Sequence, residues 1–145
     1  MTKTLLILIG PPGSGKSTLA KSYQEAQARQ GIEVSIHSTD DQFMKDGKYC
    51  FDRNKLGAYH TNNLIMACKD MDHGVPIVII DNTNVKARDY KGYVIAAKER
   101  GYTVELKKMD TDLDTCIARN AARTPDRKVP EDIVRRMWES VNALP

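Results

Sequence analysis

The stretch LLILIGPPGSGKST, residues 5–18, constrains this chain more than any other. Five consecutive apolar residues, 5–9, read as a short strand buried on both faces. Residues 10–17 then match G-x-x-x-x-G-K-[ST], the phosphate-binding loop set between a strand and a helix. Gly10, Gly13 and Gly15 permit a compact loop whose backbone N–H groups converge on an anion. The helix that follows adds its positive end. Lys16 is spaced to reach β- and γ-phosphates, and the Ser17 hydroxyl to ligate Mg²⁺. With Pro12, Ser14 and Thr18 completing the cradle, the loop is expected to bind ATP.

The same strand-then-helix alternation continues along the chain. Val34 and Ile36 mark a second strand that ends at Ser38, Thr39, Asp40 and Asp41. A polar connection containing Gly47 leads to a helix over residues 53–71, with Leu56, His60, Asn63 and Ala67 on one stripe. That stripe predicts His60 and Asn63 facing inward. Residues 76–80 form the most apolar strand, closed by Asp81, Asn82, Thr83 and Asn84. A third helix stops at Gly101, and residues 103–107 alternate as a strand near the sheet edge. Asp112 caps a fourth helix, residues 119–128 read as a loop, and Pro130 opens a last helix. The expected fold is a three-layer α/β/α domain with a four- to five-stranded parallel sheet. At 145 residues this is one domain, 1–145.

Composition narrows the function classes. A net charge of +3 permits a polyanionic partner without demanding one. The apolar runs are too short for a membrane span or a signal-peptide core. Cys50, Cys68 and Cys116 are odd in number and far apart, which fits reduced thiols acting as small core hydrophobes in a cytoplasmic protein.

In parallel sheets of this kind ligands sit at the carboxyl ends of the strands. That rule brings Gly10 to Ser17, Asp40–Asp41 and Asp81 to Asn84 onto one rim. Asp40 or Asp41 can accept a proton from an acceptor hydroxyl or bind Mg²⁺ through water. Asp81 looks like the strand-end acid that helps hold Mg²⁺ in many phosphate-binding-loop proteins. Arg119, Arg123, Arg127 and Lys128 fall in one basic segment opposed only by Asp126. A mobile lid there, about residues 119–129, would bring arginine forks onto a transferring phosphate.

The ordered set GPPGSGKST, STDD, IIDNTN and ARNAAR, followed by a Pro-initiated final helix, resembles the kinase module of polynucleotide 5′-hydroxyl kinases. It is similar both to the phage-type kinase-phosphatase and to the kinase domain of NEDD4-binding protein 2 and its relatives. The second branch matches further at Tyr49, Phe51, Leu56, His60 and Asn63. The resemblance implies a P-loop kinase fold and a role in nucleic-acid repair. It implies that Lys16 and Ser17 hold the ATP phosphates and Mg²⁺, and that Asp40 is the general base. Arg123 would be the lid arginine, with Arg119 beside it. Asn82 falls where the phage-type enzyme has an acceptor-site aspartate, with Asp81 one residue earlier. Phe43 stands where that enzyme has an arginine for the acceptor strand's phosphate. Asp41, Phe43, Asp81, Asn82, Thr83 and Asn84 are thus the expected acceptor contacts.

The implied reaction is transfer of the γ-phosphate of Mg·ATP to a 5′-hydroxyl of DNA or RNA. Two alternatives stand beside it. One is a kinase for a modified-base hydroxyl in DNA or for a small-molecule alcohol, which Phe43 motivates. The other is a non-catalytic nucleotide-binding ATPase module; simple binding would need neither Asp40 nor an arginine lid.

Overall fold

The computed structural model describes residues 2–145 and puts the two most apolar strands at the centre of the sheet. The strands β1 (Thr4–Ile9), β2 (Val34–His37), β5 (Ile77–Asp81) and β6 (Thr103–Lys108) run parallel in the order β2–β5–β1–β6. Leu5 pairs with Val78 on one side and Val104 on the other, so β1 has no free edge. Leu5, Ile7, Leu8, Val78, Ile79 and Ile80 are all fully buried, which accounts for their unbroken apolar runs. The outer strand β6 is mostly exposed and keeps its alternation, as expected of an edge.

Side chains leave the central strands alternately to two cores. Leu5, Ile7, Val78 and Ile80 pack with Ala67 and Met71 of α2 (Leu56–Asp72) and with Tyr93, Ala96 and Ala97 of α3 (Ala87–Glu99). Leu8, Val34 and Ile79 pack on the other face against Leu19, Ala20 and Tyr23 of α1 (Lys16–Ala28). Helix α4 (Leu113–Ala121) packs against α5 (Glu131–Asn142), and Asp112 caps α4 by accepting from the Thr115 amide. The result is the three-layer α/β/α arrangement expected, with four strands in its parallel sheet among the described residues.

Three local features depart from the sequence reading. The polar connection is a two-stranded hairpin, β3 (Met44–Lys45) and β4 (Lys48–Tyr49), turning on Asp46 and Gly47 with φ of 50° and 78°. An Asp-Gly pair with both residues at positive φ is the turn that matches strand twist, so the signal was present in the sequence. Short 3₁₀ turns, Thr39–Phe43 and Arg53–Lys55, precede and follow this hairpin. Finally, α4 continues through Arg119 to Ala121, so the irregular segment begins at residue 122 rather than at Arg119.

The strand ends are tied directly to one another. Gly10 N donates to Thr83 O at 3.0 Å, and Met109 N donates to Ile9 O at 2.8 Å. Thr39 N donates to the Asn82 side-chain oxygen at 2.9 Å, joining the ends of β2 and β5. The rim that carries the candidate site is therefore one hydrogen-bonded unit.

Candidate active site

The loop after β1 is shaped by close backbone approaches. A Cβ on Gly13 would lie 2.4 Å from the Cys116 carbonyl oxygen, and one on Gly10 would lie 2.5 Å from Ser14 Oγ. Gly13 and Gly15 also hold positive φ, 82° and 92°, so a side chain is excluded at Gly13 on two grounds and strained at Gly15 by its backbone. Gly15 is the N-cap of α1, and no side chain caps that helix end. The first-turn amides are thus free to hydrogen-bond an anion. Ser14 Oγ is buried with no hydrogen-bond partner among the described residues, a second donor left open in the cradle.

Lys16 and Ser17 leave the loop toward opposite partners. Lys16 Nζ donates to Gly10 O at 2.9 Å and to Pro11 O at 3.1 Å. Burial lowers the Lys16 pKa from 10.5 to about 8; Asp81 and Asp40 pull it upward, and Arg123 adds to the lowering. Ser17 Oγ donates to Asp81 Oδ2 at 2.7 Å, and Asp81 is itself buried at the end of β5. This pair offers two hard oxygens beside the phosphate cradle. Magnesium keeps most of its waters and takes only one or two protein ligands next to phosphate oxygens, so the donor set fits it. Among the described residues no cluster of three acidic, histidine or cysteine side chains offers a rival site.

A cleft of about 650 Å³ opens over the loop, lined by Ser14, Lys16, Ser17, Thr18, Arg119 and Arg123. Arg119 Nη1 donates to Gly13 O at 3.3 Å from the last turn of α4. The arginine-bearing segment, residues 122–129, is closed at its base by one buried side chain. Asn120 Nδ2 donates to Val129 O at 2.6 Å, and Val129 N donates back to Asn120 Oδ1 at 3.0 Å. An amide side chain thereby stands in for a strand partner and pins both ends of the segment.

Asp40 and Asp41 sit on the 3₁₀ turn that follows β2. The Asp40 carboxylate is exposed, its charge acts to raise the Lys16 pKa, and it accepts from Tyr49 OH at 3.2 Å. The Asp41 carboxyl is pushed up, first by partial burial and then by the Asp81 and Asp40 charges, against the pull of Arg127 and Lys21. A second cleft of about 430 Å³ lies on the other side of the β5 end, lined by His60, Asn82, Thr83, Arg88 and Tyr93. It meets the Asp40 turn at Thr39, whose hydroxyl lies 3.0 Å from His60 Nδ1.

Several expected placements need correction. Phe43 is 1% exposed and packs against Tyr59, Phe51 and Tyr49 at centroid distances of 4.6, 5.1 and 6.0 Å. It has no surface left for an acceptor. Asn84 is buried at positive φ, and its amide donates to Leu8 O at 2.8 Å, so it ties β1 to the β5 end while also lining the second cleft. Thr83 lines the second cleft while its carbonyl holds Gly10. His60 is exposed at the rim instead of facing the core, because the first turns of α2 pack on the Asp40 turn rather than over the sheet. Asn63, on the same stripe, is buried as expected and donates to Tyr93 OH at 2.9 Å. Cys116 is buried and Cys68 half-buried, but Cys50 is exposed and is no core residue. Tyr49 matched only as a resemblance, yet it touches Asp40, and Arg127 lies over its ring at 5.1 Å.

A family model described as an AAA domain matches residues 5–144. Human NEDD4-binding protein 2 is 40% identical over 107 residues, 74% of this chain and 6% of that protein. The kinship expected from the motifs is thus found, although the chain spans only a small part of that relative. Among solved structures, a chain of the Pnkp1/Rnl/Hen1 RNA repair complex superposes with TM-score 0.77 at 22% identity, over 97% of this chain and 44% of that one. The Mycobacterium tuberculosis APS kinase CysC, in complex with AMPPNP and APS, superposes with TM-score 0.61 at 17% identity, over 83% of this chain and 70% of that one. At these identities the two likenesses establish the P-loop kinase fold.

Proposed function

The chain belongs to the AAA domain family, and on that premise we propose that it is a kinase that transfers the γ-phosphate of ATP to a 5′-hydroxyl of DNA or RNA. One observation carries the reading. The exposed Asp40 carboxylate stands on the strand-end rim after β2, near enough to Lys16 for its charge to raise the lysine's pKa. A loop that only binds a nucleotide has no need of such a carboxylate. The APS kinase likeness and the RNA repair complex likeness support phosphoryl transfer as the reaction class.

In this reading the loop amides and Lys16 hold the β- and γ-phosphates, and Arg119 and Arg123 close the cleft over them. Ser17 and Asp81 would hold Mg²⁺, which when bound neutralises phosphate charge. Asp40 takes the proton of the acceptor hydroxyl as its oxygen forms a bond to the γ-phosphorus. The bond from that phosphorus to the β–γ bridging oxygen breaks in line, ADP departs with the bonding pair, and Asp40 returns its proton to solvent. The cationic ammonium and guanidinium groups offset the charge that builds on the leaving phosphates. The second cleft, with Asn82 and Thr83 on its wall, would receive the acceptor nucleoside. Three free thiols fit an intracellular location.

Replacing Asp40 by Ala tests the reading. With labelled ATP and a 5′-hydroxyl oligonucleotide, turnover should fall about a thousandfold while ATP affinity stays within about twofold. Near-normal turnover would remove Asp40 as base. A second reading, a small-molecule or modified-base alcohol as acceptor, is favoured by the burial of Phe43, which leaves no cation three residues after Asp40. A panel of 5′-hydroxyl oligonucleotides, hydroxymethylated DNA, nucleosides and sugars separates the two. Acceptor binding through strand phosphates should also weaken steeply with salt.

A further inference from the structure

We propose that Tyr49 is a positioning residue for this reaction, holding the Asp40 carboxylate at the transfer site and linking it to the arginine-bearing segment. The inference rests on the kinase reading above and deepens it. Asp40 is exposed on a short 3₁₀ turn, where nothing in its own backbone prevents the side chain from turning into solvent. A general base must be held within about half an ångström of its working place. The Tyr49 hydroxyl supplies that restraint by donating to Oδ1 at 3.2 Å. Oδ2 has no protein hydrogen bond among the described residues and is left for the acceptor's proton.

The phenol can do this because its ring is fixed from two sides. It meets Phe43 edge-on at 6.0 Å, and Phe43 is anchored in turn on Tyr59 of α2 at 4.6 Å. From above, the Arg127 guanidinium lies 5.1 Å from the ring centroid, and Arg127 Nη2 donates to Met44 Sδ at 2.7 Å. The hairpin thus seats residues 122–129 and the base-bearing turn on one aromatic side chain. A seated segment also carries Arg123 over the phosphate cleft. The charged groups near the Asp40–Tyr49 pair are Lys16 from the loop, Arg123, Asp126 and Arg127 from the segment, and Asp41 from the rim. Burial, followed by the Asp40 charge, pushes the Tyr49 phenol up to about 12, so it remains a donor across neutral pH.

Tyr49→Phe isolates the hydroxyl, since the ring that meets Phe43 and Arg127 is retained. In single-turnover transfer from ATP to a 5′-hydroxyl oligonucleotide, the variant should lose about tenfold in rate. Its KM for ATP should stay within about twofold and its thermal midpoint within about 1 °C. The same substitution in an Asp40→Ala background should cost nothing further, because the hydroxyl acts only through that carboxylate. A Tyr49→Phe rate within about twofold of the unaltered chain overturns the inference. So does an equal loss in the Asp40→Ala background, or a parallel fall in ATP affinity and stability. Transfer by the unaltered chain with an insensitive Tyr49→Phe removes this inference alone, whereas no transfer by the unaltered chain to any hydroxyl removes the kinase reading itself.

Discussion

Replacing Lys16 by methionine should stabilise the nucleotide-free protein while destroying its grip on phosphate. The lysine ammonium is held under the loop with Gly10 O and Pro11 O as its hydrogen-bond acceptors. Burial, opposed by Asp81 and Asp40 and assisted by Arg123, lowers its pKa from 10.5 to about 8. The unfolded chain therefore binds this proton more tightly than the folded one. Stability from this site is lowest below pH 8 and rises as the pH climbs toward the unfolded value. At pH 7 the charge costs the folded state about 3 kcal/mol relative to a neutral side chain. Methionine has a similar length and no charge, and it forfeits two hydrogen bonds of about 1 kcal/mol each. The expected net gain is about 1–2 kcal/mol at neutral pH. By about pH 9.5 the cost in the unaltered chain has fallen to roughly half, so the gap should narrow by about 1–2 kcal/mol. Urea unfolding at both pH values, with a chelator and no nucleotide, reads both quantities. A variant less stable at pH 7, or a gap that does not narrow, would refute the argument. Added ATP at a hundred times its Kd should stabilise the unaltered chain by about 2.7 kcal/mol and leave the variant unmoved.

Two further outcomes follow from packing. Asn120→Ala leaves the Val129 amide and carbonyl without their partner, and should weaken the base of the 122–129 segment by about 1–2 kcal/mol. Tryptic cleavage at Arg123, Arg127 and Lys128 should then speed up several-fold; an unchanged cleavage rate would show that the amide is not the staple. Phe43→Ala empties the centre of an aromatic cluster and should cost about 3–4 kcal/mol in denaturant unfolding. A cost below about 1 kcal/mol would mean that Phe43 does not carry the packing of the base-bearing turn.

What was legible beforehand is uneven in an instructive way. Residues 10–17 could be read outright because the loop's requirements are local: glycine where a Cβ would collide, lysine and serine at fixed offsets. Asp40 and Asp81 were placed on one rim by a topological rule alone, since parallel strands deliver all their carboxyl ends to the same side. The stripe on α2 predicted a shared face correctly but not what each part of that face would meet. Ala67 lies against the sheet and Asn63 is buried on Tyr93 of α3, while His60 overhangs the cleft. Periodicity reports angle around a helix axis and says nothing about where along that axis the sheet ends.

The sequence by itself determined the strand order of burial, the phosphate cradle and the pair of strand-end acids, because each depends on neighbours a few residues apart or on chain direction. Only the tertiary structure decided that Phe43 is core, that Asn84 is a tie between strands, and that Tyr49 bridges Asp40 to Arg127. Those roles arise from groups 6 to 78 residues apart meeting across the rim. Which distant partner a phenol or an amide finds is set by how the layers pack, and no local pattern encodes that distance.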